Sequence, residues 1–247
     1  AKVYMWMGDK AKTNEYADKF IGHKSFELSD SSGEYASMFV ANNTSKEVIL
    51  AWANKRSSGF LTLWEAINDV DGSWNYSPAV ALHSSLFSDS QYAEGDYRYA
   101  PTFKADDSLP IIKFPNGNDA LGQFIKNENA SASPLMVLRL ADVYLAKAEM
   151  QGNVDGLATM KSFMETRYNS VTLPATMTEK EFENLILDEN QREFFAEGHR
   201  WFDIKRLGRT DLYKNWAGDY LLNWPVPQDE RDLAGHGNYP QNDGYSE

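Results

Sequence analysis

The chain has 247 residues, a formal net charge of -12 and no cysteine. The acidic excess disfavours a nucleic acid or an anionic membrane surface as partner, because both are bound through basic patches. The lack of cysteine excludes disulfides, thiolate nucleophiles and cysteine-bound zinc. No apolar run of 18 residues occurs, so no segment of this sequence is expected to span a bilayer.

Residues 1–28 are predicted to form a helical hairpin. The apolar segment from Val3 to Met7 is typical of the last turns of a helix, and Gly8-Asp9 is typical of its end and of the next start. Helical pairs with small residues at their crossing resemble tetratricopeptide units. We therefore expect a tetratricopeptide-like hairpin whose earlier half precedes residue 1.

Residues 29–132 differ in composition, being rich in Ser, Asn, Asp and Gly with scattered aromatic residues. Two short apolar segments, 47–52 and 109–114, predict brief strands bounded by turn residues. Connections of this length are uncommon in compact domains unless they are functional. This loop-rich region is therefore where ligand contacts are expected.

Helical periodicity returns at residue 133 and continues to about residue 210. Ser133-Pro134 predicts an N-cap followed by Pro at the first helical position. This helix is expected to end at Gly152-Asn153, and a second helix is expected from about 155 to 168. Residues 133–210 are thus predicted to form a helical core.

A third helix is predicted to begin at the capping box of residues 178–181. We expect it to run without interruption to about Leu207, where Gly208 would end it. The segment 220–247 is predicted to be loop, and residues 211–247 are interpreted as a closing tail. The whole chain is taken as a single domain.

Glutamates recur along this third predicted helix. Glu189, Glu193 and Glu197 share one helical face, and Arg192 and Arg200 lie near enough to pair with them. Two such carboxylates could serve a glycosidase as acid and base. Neighbouring arginines would lower the pKa of these carboxyls, however, whereas a catalytic acid needs a raised pKa. We therefore predict a structural network with six signature residues: Arg192, Glu193, Glu197, Arg200, Asp203 and Arg206.

No metal, cofactor or catalytic residue is expected. The acids of "DVDG" at 69–72 could suggest a calcium loop, because Asp at alternate positions supplies oxygen ligands, but no Glu stands where the closing ligand should be, so a turn with solvated acids is favoured. The four histidines are scattered without ligand spacing. The sequence also contains no Gly-rich phosphate loop, no G-x-S-x-G and no HExxH.

Sugar-binding chemistry is concentrated in the turn-rich segment 69–78. A sugar site combines a flat aromatic face for ring C–H groups with amide or carboxylate partners for hydroxyls. A Trp, an Asn and a Tyr stand in sequence there, although core packing of that Trp is the competing interpretation. The candidate ligand contacts are Trp74, Asn75, Tyr76, Trp64 and Arg56. Four other tryptophans are expected to be structural because of their apolar or Pro-flanked contexts: Trp6, Trp52, Trp201 and Trp224.

Several stretches, in the same chain order, resemble the SusD/RagB family. The most specific is "ILDENQREFFAEGHRWFDIKRLGR" at 186–209, which departs from the family only where Asn190-Gln191 replaces an expected acidic residue. The other stretches are "VYMWMGDKAKTNEYADKFIGHKSFEL" at 3–28, "SKEVILAW" at 45–52, "VLRLADVYLAKAEM" at 137–150 and "YLLNWPVPQDERDLAGHGNYPQNDGY" at 220–245.

The resemblance implies a mainly α fold, a SusD-like superhelix of tetratricopeptide-like hairpins with an irregular loop region and short strands. It also implies that the chain is the C-terminal part of a longer, non-enzymatic protein. Such a protein would be a lipoprotein on the cell surface of a Gram-negative bacterium, anchored in the outer membrane through an N-terminal segment outside this chain. It would capture an oligosaccharide or polysaccharide and pass it to a SusC-like TonB-dependent transporter.

Two other functions remain open at this point. One is an α-helical glycoside hydrolase that would use acidic residues in the 54–99 loops. The other is a helical-repeat scaffold that binds no small ligand.

Overall fold

The computed structural model describes residues 1–40, 43–55, 86, 90–103, 113–114, 131–213, 217–234 and 240–245. The chain divides into two compact units, Ala1–Glu197 and Gly198–Glu247. Within the described residues, no helix combines the length and the apolar character that a membrane crossing needs.

The N-terminal hairpin consists of helix α1 (Lys2–Trp6) and helix α2 (Lys10–Ile21). Asp9 is the N-cap of α2, and its carboxylate accepts a hydrogen bond from the backbone N–H of Lys12 at 3.0 Å. This contact satisfies one of the N–H groups that the first turn leaves without a helical partner. The predicted helical hairpin is confirmed.

The next described elements are short. They are helix α3 (Ser32–Ser37), strand β1 (Val48–Lys55), strand β2 (Ala93–Asp96) and helix α4 (Tyr99–Thr102). Strand β1 confirms the strand predicted at 47–52. Of the second predicted strand, at 109–114, the structure describes only Lys113 and Phe114, and neither belongs to a strand.

Strand β3 (Ser131–Arg139) pairs antiparallel with β1, so the helix predicted to begin at Ser133-Pro134 is wrong. Cross-strand pairing outweighs the local Ser-Pro signal. Pro134 is tolerated because it lies where the register against β1 shifts, and prolines in sheets occur at such irregularities. The helix begins only after Arg139, whose backbone N–H donates to Asp142 Oδ2 at 2.9 Å.

Helix α5 (Leu140–Met164) supplies much of the hydrophobic core. Gly152 divides it, with φ 81° and ψ -175°, which confirms the predicted end of a helix at Gly152-Asn153. Strand β4 (Tyr168–Val171) follows and pairs antiparallel with β2. Buried side chains of α2, α5 and the next helix pack together, among them Ala17, Leu145, Ala148, Met160, Phe163, Phe182 and Ile186.

Helix α6 (Glu179–Glu193) begins at the predicted capping box, in which the backbone N–H of Thr178 donates to Glu181 Oε2 at 2.8 Å. The prediction of an uninterrupted helix to Leu207 is wrong, since α6 ends at Glu193. Ala196 and Gly198 then adopt positive φ angles of 60° and 83°, which are incompatible with a continuing right-handed helix.

The second unit contains helix α7 (Arg200–Leu207), two 3-10 turns (Thr210–Leu212 and Asp219–Leu222) and helix α8 (Gln228–Ala234). Helix α7 ends at Gly208 in the left-handed conformation, as predicted. Helix α8 contradicts the prediction that 220–247 is loop throughout. Within this segment the side chain of Gln241 is hydrogen-bonded to the backbone of Val226. Its Oε1 accepts from the Val226 N–H at 2.7 Å, and its Nε2 donates to the Val226 carbonyl at 3.1 Å.

Candidate functional site

The five predicted ligand contacts lie outside the residues that the structure describes: Arg56, Trp64, Trp74, Asn75 and Tyr76. Their role in binding stays a prediction.

Three of the tryptophans that we expected to pack as structural residues face solvent instead. Trp6 is 48% exposed, Trp52 61% and Trp224 79%. An apolar sequence context does not fix the direction of a side chain, because alternate residues of a strand point to opposite faces. Trp52 lies in β1 with the exposed Leu50 two residues before it, on the outward face of the β1–β3 pair. Trp201 is half-buried and its ring lies 6.0 Å from that of Tyr213.

The carboxylate of Glu193 is the centre of a buried ionic network. It is fully buried, and Arg167 Nε and Arg98 Nη1 donate to its Oε2 at 2.9 and 3.2 Å. Arg139 Nη1 donates to the other oxygen, Oε1. Buried charges are tolerated when they are paired and hydrogen-bonded in this way.

The backbone carbonyl of Glu193 is also part of the network. Tyr35 Oη, Lys113 Nζ and Arg139 Nη2 each donate to this oxygen at 3.0 Å. The last carbonyls of a helix have no partner within the helix and need one from outside. These three donors therefore explain why α6 ends at Glu193 and does not continue to Leu207.

Glu197 and Glu189 extend the network on either side of Glu193. Glu197 Oε1 accepts from Lys113 Nζ at 2.7 Å and from Arg139 Nη2 at 2.8 Å. Glu189 accepts from Arg98 Nη2 at 3.0 Å and from Arg192 Nη1 at 2.9 Å. The structure thus brings three of the predicted residues together: Arg192, Glu193 and Glu197.

The remaining signature residues lie in the second unit. Arg200, Asp203 and Arg206 are partly buried in α7, where Arg206 Nη2 donates to Asp203 Oδ1 at 3.5 Å. The six residues therefore do not form a ladder along one helix, because α6 and α7 are separate helices.

The sequence did not predict that four cations, Arg98, Lys113, Arg139 and Arg167, hold these glutamates. It also did not predict that one further acid, Glu47, joins them. Arg139 Nη1 and Arg167 Nη2 both donate to Glu47 Oε1, at 3.0 and 2.7 Å. Arg139 lies within a family-like stretch, so a signal for it existed, whereas Arg98 and Arg167 stand alone in the sequence. Only folding brings them to the same place.

The network keeps the carboxylates of Glu193 and Glu197 ionised. Burial alone would raise the pKa of Glu193, but the nearby Arg167 and Arg139 guanidinium groups lower it well below its ordinary value. Burial opposes ionisation of Glu197 as well, and Arg139 and Lys113 nevertheless lower its pKa. A carboxyl with a lowered pKa is a poor proton donor, so these side chains are unsuited to the acid role of a glycosidase.

The described surface also contains polar pockets. One, of about 300 Å³, is lined mainly by hydroxyl and carboxylate groups, including Ser29, Asp30, Glu34 and the Glu27–Lys46 ion pair. Another, of about 230 Å³, lies between Ser90–Tyr92 and α6. Among the residues that the structure describes, no group of three or more potential ligands is placed to hold a metal ion.

Comparison with known proteins identifies relatives of one kind. The sequence model that describes the SusD family matches residues 83–223. The starch-binding protein SusD of Bacteroides thetaiotaomicron is 30% identical over 152 residues, which are 56% of this chain and 26% of that protein. The SusD-like protein P38 of Formosa agariphila is 29% identical over 131 residues, 47% of this chain and 25% of that protein. The matched segments thus span about a quarter of these relatives' length.

Solved structures share the fold. A SusD superfamily protein from Bacteroides vulgatus superposes with a TM-score of 0.73 at 21% identity, covering 100% of this chain and 58% of that one. Surface glycan-binding protein A from Bacteroides thetaiotaomicron, in complex with laminarihexaose, gives 0.69 at 16% identity, covering 97% and 61%. The predicted mainly α, SusD-like fold is confirmed. With the family match extending over more than half of its residues, the chain belongs to the SusD family.

Proposed function

We propose that this chain is a non-enzymatic glycan-binding protein of the bacterial cell surface, which captures oligosaccharide and passes it to a SusC-like TonB-dependent transporter in the outer membrane. The observation that carries the proposal is membership of the SusD family over residues 83–223. It is supported by one relative that is named for starch binding and by a protein of the same fold that was solved in complex with laminarihexaose.

The ionic network supports binding over hydrolysis. A retaining or inverting glycosidase needs one carboxyl that remains protonated at neutral pH. Two buried acids of the family-like stretch have the opposite character, since arginines lower the pKa of Glu193, and Arg139 and Lys113 lower that of Glu197. Asp96, a described acid of the 54–99 region, is paired with Arg98, whose Nη2 donates to its Oδ2 at 2.7 Å.

We assign the glycan contact to the segment that contains Trp74, Asn75 and Tyr76, with Trp64 and Arg56 as further contacts. The support is chemical, because an aromatic face beside amide and hydroxyl groups matches the alternating apolar and polar surface of a sugar ring.

Native gel electrophoresis in starch, laminarin, xylan or mucin glycan tests this function, followed by isothermal titration with soluble oligosaccharides. We expect at least one glycan to retard the wild-type protein, and Trp74→Ala to abolish that retardation. Trp224→Ala is the matched control, since it removes an exposed indole from the other unit and should leave retardation unchanged.

Each of the competing functions predicts a different result. A glycoside hydrolase would release reducing ends from the glycan that it binds. A scaffold without a small ligand would show neither retardation nor hydrolysis with any glycan of the panel.

A further inference from the structure

The pocket of about 230 Å³ beside α6 has the construction of a ligand site. Asn184, Asp188 and Arg192 follow one another at intervals of four residues, which places them on one face of the helix. Gln91 and Tyr92, just before β2, form the opposite wall. One helical face and one turn thus enclose a small space that opens to solvent.

Two parts of this pocket, the Arg192 guanidinium and the Tyr92 backbone, are held by contacts within the chain. Arg192 is only 7% exposed, and its guanidinium is held by the carbonyl of Leu86 through Nε and by Glu189 Oε1 through Nη1 at 2.9 Å. The carbonyl of Tyr92 accepts from the backbone N–H of Thr172 at 2.7 Å, which ties that wall to the end of β4. A side chain that is already ordered, as Arg192 is, costs less entropy on binding than one that must be ordered by the ligand.

The lining combines apolar surface with groups that recognise hydroxyls. Tyr92 and the buried Leu185 provide the apolar part, and both pack against the main core. Around them stand the amides of Gln91 and Asn184, the carboxylate of Asp188 and the guanidinium of Arg192. Amides donate and accept, carboxylates accept, and guanidinium groups donate, so vicinal hydroxyls find partners of both kinds.

Size and charge narrow the ligand class. Pockets for drug-sized ligands occupy roughly 300–1,000 Å³, so this smaller space suits a single sugar unit. Glu181 and Asp188 outnumber Arg192 among the charged groups of the lining, and the whole chain carries -12. An anionic sugar would be repelled here, whereas a neutral sugar would not.

We propose that this pocket is a subsite for one neutral hexose unit of a glycan, formed by residues other than the predicted contacts at 56–76. The inference rests on the proposed glycan-binding function and adds to it a position and a preference for uncharged sugars.

Titration of the full ¹⁵N-labelled chain with methyl glycosides of glucose, mannose and galactose, and with galacturonate, tests the subsite. At least one neutral glycoside should shift the side-chain amide resonances of Gln91 and Asn184 at millimolar concentration, and galacturonate should not. Absence of these shifts with every neutral glycoside would overturn the proposal. Equal shifts with galacturonate would overturn the preference for neutral sugars.

Variants of α6 assign the effect to the pocket. Asp188→Asn removes a charged acceptor of the lining and should weaken glycoside binding about tenfold, the loss expected for one charge-assisted hydrogen bond. Glu183→Gln removes the same charge from the same helix outside the lining, and its affinity should equal that of the wild type. Circular dichroism establishes that both variants fold. Unchanged affinity in Asp188→Asn would overturn the assignment.

The gel assay separates this proposal from the function on which it rests. If a polysaccharide retards the wild type while no glycoside shifts Gln91 or Asn184, glycan binding stands and the subsite is refuted. If glycosides shift these residues while no polysaccharide retards the chain, the subsite is supported and capture of extended glycans is refuted.

Discussion

Glu193 shows how a charged residue can be fully buried at the end of a helix. Its carboxylate and its carbonyl oxygen together accept from five side chains, which come from separate parts of the first unit: Tyr35, Arg98, Lys113, Arg139 and Arg167. Removal of one member of such a cluster leaves the others buried with uncompensated charge, which costs more than the contact itself contributes.

Glu193→Gln is therefore expected to lower the free energy of unfolding by about 3–5 kcal/mol, the range for a broken buried ion pair. Glutamine keeps the shape of the side chain but leaves three buried guanidinium groups with one negative charge fewer. Urea denaturation followed by circular dichroism measures the change. Glu183→Gln, at a more exposed ion pair of the same helix, should cost no more than about 0.5 kcal/mol. Equal effects of the two variants would show that the network contributes no special stability.

Lys113 predicts a dependence of stability on alkaline pH. Burial lowers the pKa of Lys113 to about 8, although Glu197 favours its charged form. In an unfolded chain the pKa of lysine is about 10.4. Between the folded pKa of about 8 and this value, the unfolded chain binds more protons than the folded one. The free energy of unfolding should therefore rise from about pH 8 to about pH 10.

The matched comparison is Lys113→Met, which lacks the titrating amine. Urea denaturation across that range measures the free energy of unfolding of both proteins. As the pH rises, the wild type should become more stable relative to the variant. Tyr35 and Tyr168, whose pKa values are raised by burial, are present in both proteins and cancel in the difference. A constant difference would mean that Lys113 titrates at its ordinary pKa.

At the scale of elements, nearby residues determine some helix and strand boundaries, and contacts with distant parts of the chain determine others. The caps at Asp9 and Thr178 and the end at Gly208 depend on side chains within a few residues, and the sequence predicts them correctly. The start of β3 and the end of α6 depend on distant partners. Pairing with β1 overrides Ser133-Pro134, and donors from three segments end α6 at Glu193, so periodicity could predict neither.

The break inside α5 gives a prediction at this scale. Gly152 has φ 81° and ψ -175°, a region that is essentially open only to glycine, although a Cβ would meet nothing within 4 Å. Gly152→Ala should therefore lower the free energy of unfolding by about 1–3 kcal/mol through backbone strain alone. Gly33→Ala, in an open position of α3 with an ordinary φ, should be neutral or stabilising. Chemical denaturation of both variants tests this, and a neutral Gly152→Ala would refute the strain argument.

At the scale of the whole molecule, the sequence predicts the fold class correctly, whereas the predicted ligand contacts lie outside the described residues and stay a prediction. Five family-like stretches in one order fix the architecture, because packed helices constrain residue types along most of their length. A sugar contact constrains only a few loop side chains, and neither period nor spacing predicts them. The pocket beside α6 illustrates the point: Gln91 and Asn184 are ordinary polar residues in the sequence, and only the packing of a turn against a helix brings them together.

The division into two units leads to a final prediction. Every hydrogen-bond partner that the structure describes for Glu193 lies within Ala1–Glu197, and so do the three hydrophobic clusters. A chain truncated after Glu197 should therefore keep a cooperative urea transition, and Glu193→Gln should destabilise it by the same amount as it does the complete chain. Equal values are expected because the truncated chain keeps every described partner of Glu193. A truncated chain without a cooperative transition would show that the second unit is needed for the first to fold. A smaller effect of Glu193→Gln in a truncated chain that still folds would show that the network depends on residues beyond Glu197.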